Sequence, residues 1–138
     1  MMRRAFVAVF TFALGIGIGV SGTILYAQSQ PVKHTPLISQ DLSGLDGKEG
    51  FAVKVEYAPG AIDKKHYHPA HLFTYVLEGA AMWEVEGQPP ITLKAGDIFY
   101  DPPRRPHIHG NASQTEPAKL LVFMVAEKGQ PRAIPVPR

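Results

Sequence analysis

The chain has 138 residues, room for one domain, and no cysteine, so neither a disulfide frame nor a thiolate ligand or nucleophile is available. Of its 14 Lys+Arg, Arg3 and Arg4 stand in an acid-free N-terminal segment, which leaves the remainder even with the 12 Asp+Glu. A neutral domain binds polyanions poorly, so nucleic acid is not an expected partner.

Met1-Met2-Arg3-Arg4 is basic, and Ala5 to Ala27 is a largely apolar run without charge. This is the layout of an export signal, with a partial twin-arginine match at Arg3-Arg4-Ala5-Phe6. The run is also about long enough to span a bilayer, and Gly15-x-x-x-Gly19 would let two such helices approach closely. Residues 1–27 are therefore read as a cleaved signal, with an uncleaved membrane anchor as the alternative. Either way the domain is expected outside the cytoplasm, periplasmic or secreted.

Residues 28–40 are polar, contain Pro31 and Pro36 and show no sustained period, so they read as a linker in which His34 is solvated. The domain is placed at 41–127. Phe51, Val53, Val55 and Tyr57 alternate with Ala52, Lys54 and Glu56, the period of a half-buried strand. A strand beginning at His66 follows a charged loop. Leu72 to Leu77 is nearly continuous in apolar residues, as for a strand covered on both faces. Further strands are predicted over 81–86, 91–93, 98–100 and 119–126, separated by turns at Glu78-Gly79, Gly87 to Pro90 and Lys94 to Asp97. The loop Asp101 to Pro106 aims His107. Residues 128–138, with Pro131, Pro135 and Pro137, form a tail that cannot join a sheet interior; it is either disordered or laid across a neighbouring subunit. Short strands with frequent turns and no helical period after residue 27 predict an all-β sandwich or barrel.

Three of the six histidines, His66, His68 and His71, cluster at the start of the apolar run. On an extended strand His66 and His68 share a face, and His107 and His109 repeat the spacing. Neutral imidazole nitrogens on a rigid ladder make part of a divalent-metal site. Gly60-x5-His66-x-His68-x3-Leu72-x6-Gly79 and Gly96-x5-Pro102-x-Arg104-x2-His107-x3-Asn111 resemble the two signature motifs of the cupin family. Leu72 stands where that family carries a glutamate ligand, and Arg104 where it carries a glycine.

The resemblance implies a small double-stranded β-helix, or jelly-roll, barrel with His66, His68 and His107 as metal ligands. The vacancy left by Leu72 is filled in this reading by His71 or His109, with Glu84 a weaker candidate. Iron is the first expectation for the metal, with Mn, Zn, Ni and Cu as alternatives. The implied function is a metal-dependent, dioxygenase-like enzyme acting on a small molecule, with Leu72 and Phe73 as an apolar wall. The alternative is a non-catalytic binding module for a small ligand. Asn111 is assigned to securing the turn behind His107, Tyr67, Tyr75 and Tyr100 to the core, and Arg104 and Arg105 to the barrel mouth, where they would attract a carboxylate. A homodimer is expected from the family alone.

Overall fold

The computed structural model describes residues 31–137, and the expected signal or anchor at 1–27 lies outside them. Ten strands follow in order: β1 (Val32–Asp41), β2 (Lys48–Tyr57), β3 (His66–Tyr67), β4 (Ala70–Glu78), β5 (Ala80–Val85), β6 (Ile91–Lys94), β7 (Ile98–Asp101), β8 (His107–Asn111), β9 (Ala118–Glu127) and β10 (Ile134–Pro135). They build two five-stranded sheets, ordered β1-β2-β9-β4-β7 and β10-β3-β8-β5-β6, with every pairing antiparallel. This is the all-β architecture that the turn spacing predicts, in the jelly-roll form that the family resemblance implies.

The core forms where the alternating strands turn their apolar sides inward: Val53, Val55 and Tyr57 of β2, Leu72 and Val76 of β4, and Leu120, Val122 and Met124 of β9. Fully burying a side chain such as Leu72 or Leu120 is worth about 1.5–3 kcal/mol.

Three expectations are corrected. The supposed linker at 28–40 is mostly strand: Val32 to Asp41 pairs with β2 along its length, with a register shift between Pro36 and Ile38. Its side chains are largely exposed, so no apolar period marks it, and an edge position tolerates proline. The tail is not free either, because Ile134 and Pro135 pair with Tyr67 and His66 at the edge of the second sheet. Finally, β4 is covered on one face only. Ala70, Leu72, Thr74 and Val76 are buried, while His71, Phe73, Tyr75 and Leu77 are exposed.

Gly79 closes the turn from β4 to β5 with φ +72°, and a Cβ there would lie 2.4 Å from the Pro117 carbonyl oxygen and 3.0 Å from Ala118 Cα. Gly87 has φ +77° with open space around it. Gly79→Ala should therefore cost about 2 kcal/mol or more, combining backbone strain with a backbone clash, whereas Gly87→Ala should cost about 1 kcal/mol. Urea unfolding of the two variants checks the difference.

Candidate metal centre

His66 and His68 project from β3 and the residue after it, and His107 and His109 from β8, the strand paired with β3. In register His66 lies opposite His107, and the shared parity of 107 and 109 turns both rings into the barrel. One nitrogen from each of the four rings falls within 4.8 Å of all the others. His68, His107 and His109 are buried, and His66 is half-buried at the cavity side.

Each ring is held by its Nδ1. His66 donates to the Lys64 carbonyl at 2.7 Å, and His68 to the Arg132 carbonyl at 2.5 Å. His107 Nδ1 lies 2.8 Å from the Arg105 carbonyl and 2.8 Å from Asp101 Oδ2. His109 Nδ1 meets the Tyr57 hydroxyl and stands 3.4 Å from Asp63 Oδ2, to which Tyr57 itself donates at 3.0 Å. Carbonyls and carboxylates only accept, so these partners fix the proton on Nδ1 and leave Nε2 with its lone pair.

The consequence is four lone pairs aimed at one small space. His66 Nε2 and His68 Nε2 face each other at 3.0 Å, and His107 Nε2 is buried without a partner. With both protons on Nδ1, the close pair cannot be a hydrogen bond between neutral rings. It is an arrangement that a cation would complete. Two adjacent ligands of one ion reach this separation when each metal–nitrogen bond is about 2.1 Å. The chemistry of the donor set thus fits a divalent transition metal, and the nitrogens are free to bind one at neutral pH. Burial holds His68 down to about 4 and pushes His66 and His109 below the ordinary imidazole range.

Of the two candidates for the fourth ligand, His109 joins the cluster and His71 does not. His71 points away on the exposed face of β4, where its Nδ1 lies 2.8 Å from the Tyr100 hydroxyl. Glu84 is exposed and likewise outside the site. Leu72 is buried and lines the cavity with His66 and His68, so hydrocarbon occupies the side where the family carries a glutamate. Phe73 does not form the wall with it, being turned outward. Tyr75 and Tyr100, expected in the core, are exposed on that outer face.

Arg104 has φ +63°, the left-handed conformation that makes glycine the usual occupant, and its N–H donates to the His68 carbonyl at 2.8 Å. Arg105 is bound to Asp101 Oδ1, with Nε and Nη2 each at 2.5 Å. Neither arginine lines the cavity, which corrects their expected role at its mouth. Asn111 secures the turn as expected, donating to the Ala58 and Glu116 carbonyls and accepting from Ser113 N–H.

Five contributors were not visible in the sequence. Asp101, Asp63 and Tyr57 orient the clustered histidine rings, and Arg132 brings the tail to His68. Trp83 packs its ring on His107 and His109 at centroid distances of 4.9 and 4.6 Å. His66, His68 and His109 open onto a cavity of about 650 Å³, walled by apolar residues of β1, β2 and β9. His34, on β1, stands at its rim with Nε2 3.8 Å from Asp63 Oδ2.

A family model described as the cupin domain matches residues 53–124, just over half of the chain. The chain belongs to the cupin family. This cupin is 26% identical to a cupin-like protein of Thermotoga maritima across 76% of its own length and 75% of the other chain, with a TM-score of 0.63. It is 25% identical to the DMSP lyase DddQ of Ruegeria pomeroyi, covering 77% of this chain but only 52% of the lyase, at a TM-score of 0.62. The polyketide cyclase RemF of Streptomyces resistomycificus shares the fold at 20% identity and a TM-score of 0.61, covering 79% of this chain and 73% of that one. No curated protein matches the sequence.

The buried rings make the metal-free protein acid-sensitive. Unfolded His68 titrates near 6.5 and folded His68 near 4, so below 6.5 the unfolded chain binds more protons and stability falls with pH. His66 and His109, also lowered, act in the same direction. Urea unfolding of metal-free protein should show a loss of about 3 kcal/mol or more between pH 7.5 and 4.5. His68→Gln should flatten that slope.

Proposed function

We propose that this cupin is a metal-dependent enzyme of oxygenase type, acting on a small, largely apolar molecule that reaches the metal through an oxygen or sulfur donor. The observation that carries the reading is the convergence of four Nε2 lone pairs on one point at the floor of an apolar cavity. His66, His68, His107 and His109 would hold the ion, with iron the first expectation. When bound, such an ion supplies positive charge and open coordination positions, and iron adds one-electron redox chemistry.

The chain's own residues do the rest. Lys64 and Arg132 carbonyls fix the His66 and His68 rings, Asp101 fixes His107, and Tyr57 with Asp63 fixes His109. Partners of this kind hold ring orientation and raise ligand basicity. Leu72 and the apolar walls exclude water and favour a hydrocarbon body. Burial keeps the Tyr57 phenol protonated, so it donates to Asp63 and accepts from His109 without titrating.

Elemental analysis of protein purified without chelator or histidine tag should find close to one divalent metal per chain. His66→Ala and His107→Ala should empty the site, and His71→Ala should leave it filled. Iron-loaded protein should then consume oxygen with members of a panel of diketones and thiols. Silence across the panel with an occupied iron site would turn the reading to a ligand-binding module. The export reading places this chemistry outside the cytoplasm, on the strength of residues 1–27.

A homodimer is the second part of the proposal. It is supported by the outer face of the first sheet, where Phe73, Tyr75, Leu77, Ile98, Tyr100 and Phe123 are all exposed. In register Phe73 lies beside both Tyr100 and Phe123, so the patch is continuous across β7, β4 and β9. A contiguous apolar face of this kind marks a contact surface. Light scattering should give a dimer mass for the wild type and a monomer mass for Phe73→Lys, with metal content unchanged.

A further inference from the structure

We infer that His34 and Asp63 form a second recognition point at the mouth of this cavity, and that it takes a hydroxyl group carried by the ligand away from the group that meets the metal. The metal end of this statement rests on the proposed function above. The hydroxyl end is argued from the pair itself.

The register of β1 decides where the His34 ring goes. Residues directly opposite each other in an antiparallel pair share a face of the sheet. Val32, His34 and Pro36 stand opposite Tyr57, Val55 and Val53, all three of them buried in the core. His34 therefore sends its side chain to the inner side of the sheet, and the irregularity in β1 begins only after Pro36. There Nε2 comes within 3.8 Å of Asp63 Oδ2, on the loop between β2 and β3. The carboxylate is itself placed by side-chain contacts, since Oδ2 accepts from the Tyr57 hydroxyl at 3.0 Å and lies 3.4 Å from His109 Nδ1.

Both residues line the cavity, and both side chains are accessible, His34 at 52% and Asp63 at 20% exposure. Their separation is too long for a hydrogen bond between them. Neither the His34 ring nor Asp63 Oδ1 has a hydrogen-bond partner among the described residues, although a carboxylate has room for about four. The neighbouring wall is apolar, formed by Val32, Pro36, Phe51 and Ile62. A few polar groups set in an apolar wall are what fix the orientation of a ligand.

The chemistry of the pair selects the group that fits. A carboxylate only accepts, so its presence beside Nε2 favours the tautomer of His34 with the proton there. The gap thus has a donor on one side and an acceptor on the other. A hydroxyl accepts from the imidazole N–H and donates to the carboxylate at once. An anion would face Asp63 with like charge, and an ammonium has nothing to offer the N–H. A hydroxyl can also replace a bridging water bond for bond, which a methyl group cannot.

The test uses the full chain loaded with Zn(II), which is redox-inert, and calorimetric binding of matched aliphatic hydroxamates, which chelate the metal. The probes have equal length and end in a hydroxyl or a methyl group; a short homologous series finds the length that reaches the mouth. Wild type should bind the hydroxyl-ended probe about tenfold more tightly at the best length, the range of a hydrogen bond to a charged group. His34→Leu removes the donor and should bring that ratio below about threefold, with zinc content unchanged. His34→Gln, which keeps an N–H donor, should restore part of the preference.

A ratio near one at every length, or a ratio that His34→Leu leaves unchanged, would overturn the hydroxyl site. So would tighter binding of a carboxylate-ended or amine-ended probe than of the hydroxyl-ended one. Failure of wild type to take up zinc would instead sink the metal reading. The pair is then decided by 1-hexanol against 1-fluorohexane, read through the fluorescence of Trp83, the sole tryptophan and part of the cavity lining. A His34-dependent preference for the alcohol supports the site, and none overturns it.

Discussion

Four imidazole rings are held with their lone pairs facing inward, and most of the polar structure around the barrel serves that arrangement. A neutral imidazole has one proton and one lone pair, so whichever nitrogen finds an acceptor decides what the other can do. Here Lys64, Arg105 and Arg132 supply main-chain carbonyls, and Asp101 and Asp63 supply carboxylates. The price is close packing of like dipoles, seen in the 3.0 Å approach of His66 Nε2 to His68 Nε2. Such an approach is sustained by a surrounding frame rigid enough to resist rotation of the rings.

That rigidity comes from the pairing of β3 with β8 and from the packing of Trp83 against His107 and His109. β3 is only two residues long, yet it is clamped between β8 and β10. The C-terminal segment therefore belongs to the site. It closes the sheet edge beside His66, gives its Arg132 carbonyl to His68 and adds Arg132 and Pro135 to the cavity lining. The same is true of β1, whose backbone adds an outer strand while His34 and its neighbours wall the opening.

The replacement of a carboxylate by Leu72 gives this cupin its particular character. Removing an anion beside a divalent ion leaves more uncancelled positive charge and makes one wall of the cavity apolar. The nearest carboxylates, Asp63 and Asp101, act through His109 and His107 rather than at the centre. The negative charge is thus moved outward by one ring, where it tunes the ligands and leaves the inner space to histidine nitrogen and hydrocarbon.

The sequence alone determined the fold class, because Val53, Val55 and Tyr57 declare a strand period and the Gly60 to Gly79 and Gly96 to Asn111 spacings carry the family resemblance. Through the same resemblance it pointed to His66, His68 and His107 as metal ligands, with His71 or His109, and more weakly Glu84, for a fourth; local parity added that 66 and 68, and 107 and 109, share a face. Choosing between those two required tertiary structure: both flank plausible strand positions, and only the burial of Ala70, Leu72, Thr74 and Val76 on one face of β4 shows that His71 faces out with Phe73 and Tyr75. The roles of Asp63, Tyr57 and Arg132 were equally out of reach, because each meets its histidine across a long sequence separation, and that of Asp101 because only the fold of its loop turns it onto His107. β1 and β10 stayed hidden for a related reason. Edge strands are held by backbone hydrogen bonds, and those leave almost no trace in the order of side chains.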